Sequence, residues 1–122
     1  VLRKKGDNKS ALKVCAHALK SHKNDDTLHR NKGNILYALD EPEKALEAFE
    51  KALDLNPYVV DTWVNKGTVL WKGLTEREKA LAAFDKALEI NPNFMAAVDS
   101  RINLMAEIKA NRPPLWKRIF GG

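Results

Sequence analysis

The sequence predicts an all-α fold, an α-solenoid of stacked antiparallel helix pairs, and three observations predict it. First, a block of the chain recurs. Asn31-Lys32-Gly33 returns as Asn65-Lys66-Gly67, Ala45-Leu46-x-Ala48-Phe49-x-Lys51-Ala52-Leu53 returns as Ala80-Leu81-x-Ala83-Phe84-x-Lys86-Ala87-Leu88, and Asn56-Pro57 returns as Asn91-Pro92. The glycines lie 34 residues apart and the later markers 35, a period typical of stacked-repeat architectures. Second, each block holds two apolar-periodic segments. Leu28, Ile35, Leu36 and Leu39 are spaced for one face of a helix, and so are Ala45, Ala48, Phe49, Ala52 and Leu53. Third, proline punctuates them. Pro42 suits the first turn of a helix, and Pro57 stops one by pushing Asn56 out of the α region. Two short helices cannot bury their apolar faces alone, so neighbouring pairs must stack.

Taken in order, residues 1–24 read as a partial repeat. With a shift of 34, Leu2 aligns with Leu36, Ala11 with Ala45, Cys15 with Phe49 and Ala18 with Ala52. Ser10–Ser21 is then a second helix, Val1–Lys5 the last turn of a first helix, and Gly6-Asp7 the turn between them. The chain is expected to begin inside a repeat and to come from a longer array or one that has lost its start. Residues 25–59 and 60–94 are the full repeats. Asn24-Asp25-Asp26 offers capping side chains for a helix to Leu39, and a second helix runs from Pro42 to Leu55. Val59–Lys72 follows, with Gly73 as its stop. The extra residue of the second block is assigned to the turn around Lys72–Glu76, where Thr75-Glu76-Arg77-Glu78 reads as a capping box. Residues 95–122 form a last partial repeat. Its helix, Phe94–Ala110, carries Ile102 where the repeat has glycine, and loss of that glycine should hold a following helix at a distance. After Pro113-Pro114, the spacing of Leu115, Trp116, Ile119 and Phe120 predicts a short capping helix over Pro114–Phe120. The alternative is a mobile anchor for a partner or a membrane surface.

These markers resemble the tetratricopeptide (TPR) pattern: Trp63-x-x-Lys66-Gly67-x-x-Leu70, then Ala80-x-x-x-Phe84-x-x-Ala87 and Pro92, with Gly33, Leu36, Ala45, Phe49, Ala52 and Pro57 in the preceding block. The departures are His29 at the usual Trp place, and Lys32 and Lys66 where Leu is common. The resemblance implies a right-handed superhelix whose first helices face a concave groove, and a non-catalytic scaffold that binds a peptide or protein segment there. Self-association of copies through the open repeat ends is the alternative.

Composition narrows the chemistry. No apolar run approaches the ~18 residues that span a bilayer, no signal peptide is read at Val1–Lys5, and the single cysteine excludes an internal disulfide framework. A cytoplasmic chain is expected. Residues 1–24 carry seven Lys/Arg against Asp7, residues 25–100 nine against fourteen acids, and residues 101–122 five against Glu107, so basic ends flank an acidic middle. Catalysis finds no support. Cys15 and His17 diverge by about 200° around a helix, and His17, His22 and His29 do not share a face with Cys15 as metal ligands would. No metal, cofactor, nucleic-acid or membrane partner is expected, because no phosphate loop appears and basic residues are not interleaved with aromatics.

The groove is assigned to Thr27, Arg30, Asn31, Asn34, Tyr37 and Ala38 on one first helix, and to Asp61, Val64, Asn65, Thr68, Trp71 and Lys72 on the next. Asp99, Ser100, Asn103 and Arg101 follow on the last. Some TPR domains hold a C-terminal carboxylate with a five-residue clamp. Arg30 and Asn34 resemble its first pair and Asn65 its second Asn, but Ala96 and Ser100 stand where two basic residues belong. Lys72 would be the substitute donor. The peptide-binding residues expected here are Arg30, Asn31, Asn34, Tyr37, Asn65, Thr68, Trp71 and Lys72.

Overall fold

The computed structural model describes residues 5–121, and the expected Val1–Lys5 helix turn lies largely outside them. The chain runs α1 (Lys5–Ser21), α2 (Asp26–Ala38), α3 (Pro42–Leu55), α4 (Val60–Thr68), α5 (Arg77–Ile90), α6 (Met95–Asn111) and α7 (Leu115–Phe120). The described residues form no strand. Helices α2 with α3 and α4 with α5 make the two stacked pairs of a right-handed solenoid.

Sequence signals act where their chemistry requires it. Asp25 caps α2, its Oδ1 accepting from the Leu28 N–H at 3.2 Å, and Pro42 opens α3. The turn between the pairs repeats atom for atom. Asn56 Oδ1 accepts from the Tyr58 N–H at 3.2 Å, and Asn91 Oδ1 from the Asn93 N–H at 3.1 Å. Such Asx turns let the side chain replace a backbone partner.

Four expectations are corrected. Gly6-Asp7 is no turn, because α1 runs through both residues. Even inside a helix a glycine costs only about 1 kcal/mol, and Gly6 and Asp7 both lie in the first turn of α1, where the helix dipole favours the carboxylate.

The extra residue of the second repeat sits in α4 and not in the following turn. From Val69 to Gly73 the helix widens into a π turn. The Leu74 N–H reaches back to Val69 O at 3.0 Å, where its counterpart Leu39 reaches Ile35 at 3.0 Å in an ordinary α step. A single inserted residue is absorbed this way without breaking the helix.

Thr75 forms no capping box. It takes a left-handed conformation, φ 55°, equivalent to Asp40 at φ 61°, and Glu76 takes the N-cap place with no side-chain cap bond. A β-branched residue in that region is strained, so the geometry of the turn overrides the local motif.

The fourth correction concerns α7, which forms but caps nothing. Trp116 is 64% exposed and Phe120 81%. Arg112 and Pro114 are extended, which carries the chain off α6. The branched Ile102, at the place of Gly33 and Gly67, denies a following helix the close approach those glycines allow.

That approach is the centre of the core. A methyl built on Gly33 would stand 2.6 Å from Phe49 Cε1, and one on Gly67 2.6 Å from Phe84 Cε1. Both phenyl rings are buried, as are Ala45, Ala52, Leu53, Ala80 and Ala87. Leu46, Leu81 and Leu88 are half-buried. The core forms two clusters, with Leu46 and Leu74 packed against both.

Candidate functional site

The first helices α2, α4 and α6 present a polar face, and one ion pair sets its geometry. Arg30 on α2 lies 4.0 Å from Asp61 on α4, a bridge from one first helix to the next. Residues four apart share a helix face. One turn beyond Arg30 is Asn34, and one turn beyond Asp61 is Asn65. Asn34 is exposed and Asn65 half-buried. Further on, Gly73 would place a methyl 3.5 Å from Tyr37 Cε1, so the π turn closes the strip beside Tyr37. That ring is partly exposed.

Other expected groove residues have different engagements. Asn31 lines a cavity of about 560 Å³ between α1 and α2, together with Asn34, Cys15, Leu28 and Ile35. The Cys15 thiol donates to Leu28 O at 3.2 Å, and burial raises its pKa, as expected of an inert packing thiol. The Thr68 hydroxyl donates to Val64 O at 2.9 Å within its own helix. Arg101, assigned to the groove, turns instead to Asp85 on α5 at 2.5 Å.

Trp71 was expected to line the groove and is instead tied into a polar lock. Its Nε1 donates to Glu107 Oε2 of α6 at 2.7 Å, and Arg77 Nε donates to the same oxygen at 2.8 Å. The ring packs edge-on against Phe84, centroids 6.3 Å apart, and Lys72 Nζ stands 4.0 Å from the Trp71 ring centroid. The hydrogen bond from Arg77, then that from Trp71, holds the Glu107 carboxyl below its ordinary value. Sequence reasoning missed Glu107. Its one signal was that it is the lone acid among five basic residues in 101–122.

Two further cavities open on the other side, between successive second helices. One of about 510 Å³ is lined by Leu46, Trp63, Lys66, Leu70, Lys79 and Lys86. The other, about 740 Å³, is lined at equivalent places by Leu12, His29, Lys32, Leu36, Lys44 and Lys51. Lys66 bridges to Glu50 at 3.5 Å. Among the described residues no three His, Cys, Asp or Glu side chains gather as a metal site. No described helix is long and apolar enough to cross a membrane.

Comparison with known proteins agrees with this architecture. An uncharacterised protein of Methanocaldococcus jannaschii is 48% identical over 40 residues, a match covering 33% of this chain and 38% of that protein. The first TPR of Spaghetti (RPAP3), solved bound to the HSP90 peptide SRMEEVD, superposes with a TM-score of 0.81 at 17% identity, covering 85% of this chain and 82% of that one. The Sgt2 TPR domain from Aspergillus fumigatus does so at 0.80 and 22% identity, covering 89% and 76%. At those identities the likeness is one of fold. YrrB, described as a TPR protein with an unusual peptide-binding site, is 28% identical with a TM-score of 0.73, over 79% of this chain and 49% of that one. Models of the tetratricopeptide repeat match residues 27–58 and 60–94, together more than half of the sequence. With the glycine–phenylalanine contact made twice and the Asx turn made twice, the chain belongs to the tetratricopeptide repeat family.

Proposed function

We propose that this chain is a non-catalytic scaffold that holds an extended segment of a partner protein along the first-helix face of α2 and α4. The observation that carries the reading is the Arg30–Asp61 bridge at 4.0 Å, since it supports Asn34 and Asn65 as adjacent amides on one strip. A primary amide both donates and accepts, so a pair of them matches the alternating N–H and C=O groups of an extended backbone. Tyr37 supplies contact area at one end of the strip. Arg30 already faces a carboxylate, and Ala96 and Ser100 bring no positive charge from α6. The strip therefore suits an internal backbone better than a chain-terminal carboxylate, which needs concentrated positive charge.

In this reading residues 1–24 and 95–122 are partial repeats flanking the full repeats 25–59 and 60–94. Of the residues assigned from sequence, Arg30, Asn34, Tyr37 and Asn65 form the core of the site. Lys72 flanks it, and Trp71 acts from behind by bracing α4 against α6. Selection from a displayed peptide library, followed by calorimetric titration of the strongest binder, tests the assignment. Binding should weaken on Asn34→Ala and on Asn65→Ala. Loss of binding on Lys51→Ala or Lys86→Ala instead would move the site to the opposite face.

A further inference from the structure

The middle helices enclose a cleft on the side away from the first-helix strip. About 510 Å³ in volume, it lies between α3 and α5 over α4, and among the described residues none of α1, α6 or α7 lines it. Its floor is apolar: Leu46 comes from α3, Trp63 from α4, Leu70 from the π turn, and Ala82 and Ala83 from α5. The Trp63 ring is held in place, its Nε1 donating to Pro57 O at 2.7 Å. Lys66, Lys79 and Lys86 edge the cleft, against the two acids Glu50 and Glu76. An apolar recess of this size with a few polar groups at its edge has the usual form of a small-molecule site.

The preceding repeat supplies an internal control. Its cleft, about 740 Å³, has leucines and lysines at the equivalent places: Leu12, Leu36, Lys32, Lys44 and Lys51. Two lining positions differ in kind. His29 stands where the second cleft has Trp63, and Glu47 where it has Ala82. The first cleft thus sets three lysines against four acids, Glu41, Glu47, Glu50 and Asp54. Repetition of the fold accounts for the leucines and lysines. The broad apolar floor combined with an excess of positive charge belongs to the second cleft.

Lys66 is placed to hold an anion there. Its side chain is 21% exposed, against 71% for Lys79 and 51% for Lys86. Its Nζ lies 3.5 Å from Glu50 Oε2 and 5.3 Å from the Trp63 ring centroid. An ammonium carries three donors, so a second carboxylate can share it. Lys79 and Lys86 pair with acids three residues away on the surface, at 3.4 and 3.2 Å. Such exposed pairs are worth little and exchange readily. The two lysines stand two turns apart on α5, about 10 Å, with Ala82 and Ala83 between them. That window has the reach of a short acyl chain.

We infer that this cleft binds a small amphiphilic monoanion, its apolar body lying on Trp63, Leu46 and Ala82 and its carboxylate on Lys66. The site is separate from the peptide strip and independent of it. Lys79 and Lys86 add attraction at longer range, so binding weakens as salt screens them.

Decanoate is the probe. In proton–nitrogen correlation spectra of the full chain at neutral pH, the Trp63 indole N–H should shift saturably, with a Kd of about 0.1–1 mM. The indole signals of Trp71 and Trp116 should stay in place. Decyltrimethylammonium, with the same chain and the opposite charge, should leave the Trp63 signal unmoved. Lys66→Met should weaken decanoate binding about tenfold, as loss of a charge-assisted contact does. Ala82→Glu gives the cleft the acid of its counterpart and should abolish binding. Ala82 is exposed, so this variant should keep the wild-type circular dichroism and melting curve. Lys44→Gln, which alters the other cleft at the place equivalent to Lys79, should bind decanoate as the wild type does. No saturation by about 5 mM decanoate would overturn the proposal. So would equal binding of the cationic amphiphile, or Ala82→Glu binding decanoate as the wild type does. A library-selected peptide that loses its binding on Ala82→Glu, with no binding of decanoate, would assign the cleft to a partner protein and overturn it as well.

Discussion

At the scale of single residues, stability concentrates in the phenylalanine–glycine contacts. Phe84 is fully buried, and Phe84→Ala should cost about 3–5 kcal/mol in urea unfolding, from lost transfer energy and the cavity left behind. Gly67→Ala sets two effects against each other. Alanine gains about 1 kcal/mol of helix propensity, but its methyl would sit 2.6 Å from Phe84 Cε1, and overpacking a tight core costs about 1–3 kcal/mol. The ring has nowhere to go, so the variant should be less stable than wild type. Phe84→Leu in the same chain should recover part of that loss, a coupling that a double-mutant cycle reads directly.

Glu107 gives a pH dependence with a definite sign. Its folded pKa is depressed by the bonds from Arg77 and Trp71, so its stabilisation is present above the unfolded value of about 4.3 and is lost as pH falls through the folded value. Melting curves of wild type and Glu107→Gln should lie furthest apart near neutrality and converge below about pH 4. Curves separated by a constant gap down to pH 3 would contradict the lock.

At the scale of elements, the helices were legible and some of their ends were not. Pro42 and Pro57 bounded α3 because proline acts through its own covalent geometry. Thr75 misled because a capping box is a local preference, and the closure of α4 onto α5 imposed a left-handed residue at that place. The inserted residue was visible as a change of period from 34 to 35, but its site was not. Placing it in the helix as a π turn keeps the turn conformation identical in both repeats, and no property of one residue announces that choice. The α7 helix was legible as a helix and misread as a cap, since its apolar spacing says nothing about whether a neighbour can approach. With Trp116 64% exposed, Trp116→Ala should change the unfolding free energy by no more than about 0.5 kcal/mol, as for other surface positions. A loss of several times that size would mean that α7 packs on the body.

At the scale of the whole molecule, repetition extends from packing to charge. Lys66 bridges from α4 to Glu50 on α3, and Arg101, 35 residues on, bridges from α6 to Asp85 on α5. The basic residue at the usual leucine place thus ties α4 and α6 each to the second helix before it. Exposed pairs of this kind contribute about 0–1 kcal/mol each, so they serve register more than stability. The residues of the proposed site were chosen by the same repetition. Arg30, Asn34 and Asn65 follow from helical spacing and the repeat length. The bond from Trp71 to Glu107 was not legible, because Glu107 lies 36 residues away, on a helix whose repeat pattern is too degraded to align by type.

The central claim is that the first-helix strip of α2 and α4 holds an extended peptide. Its most direct test is the affinity of one selected peptide for wild type and for Asn65→Ala, measured by calorimetry beside melting curves of both proteins. Asn65→Ala should weaken binding by about 0.5–3 kcal/mol, the worth of one lost hydrogen bond, with the melting curve unchanged. Equal affinities for the two proteins would contradict the claim.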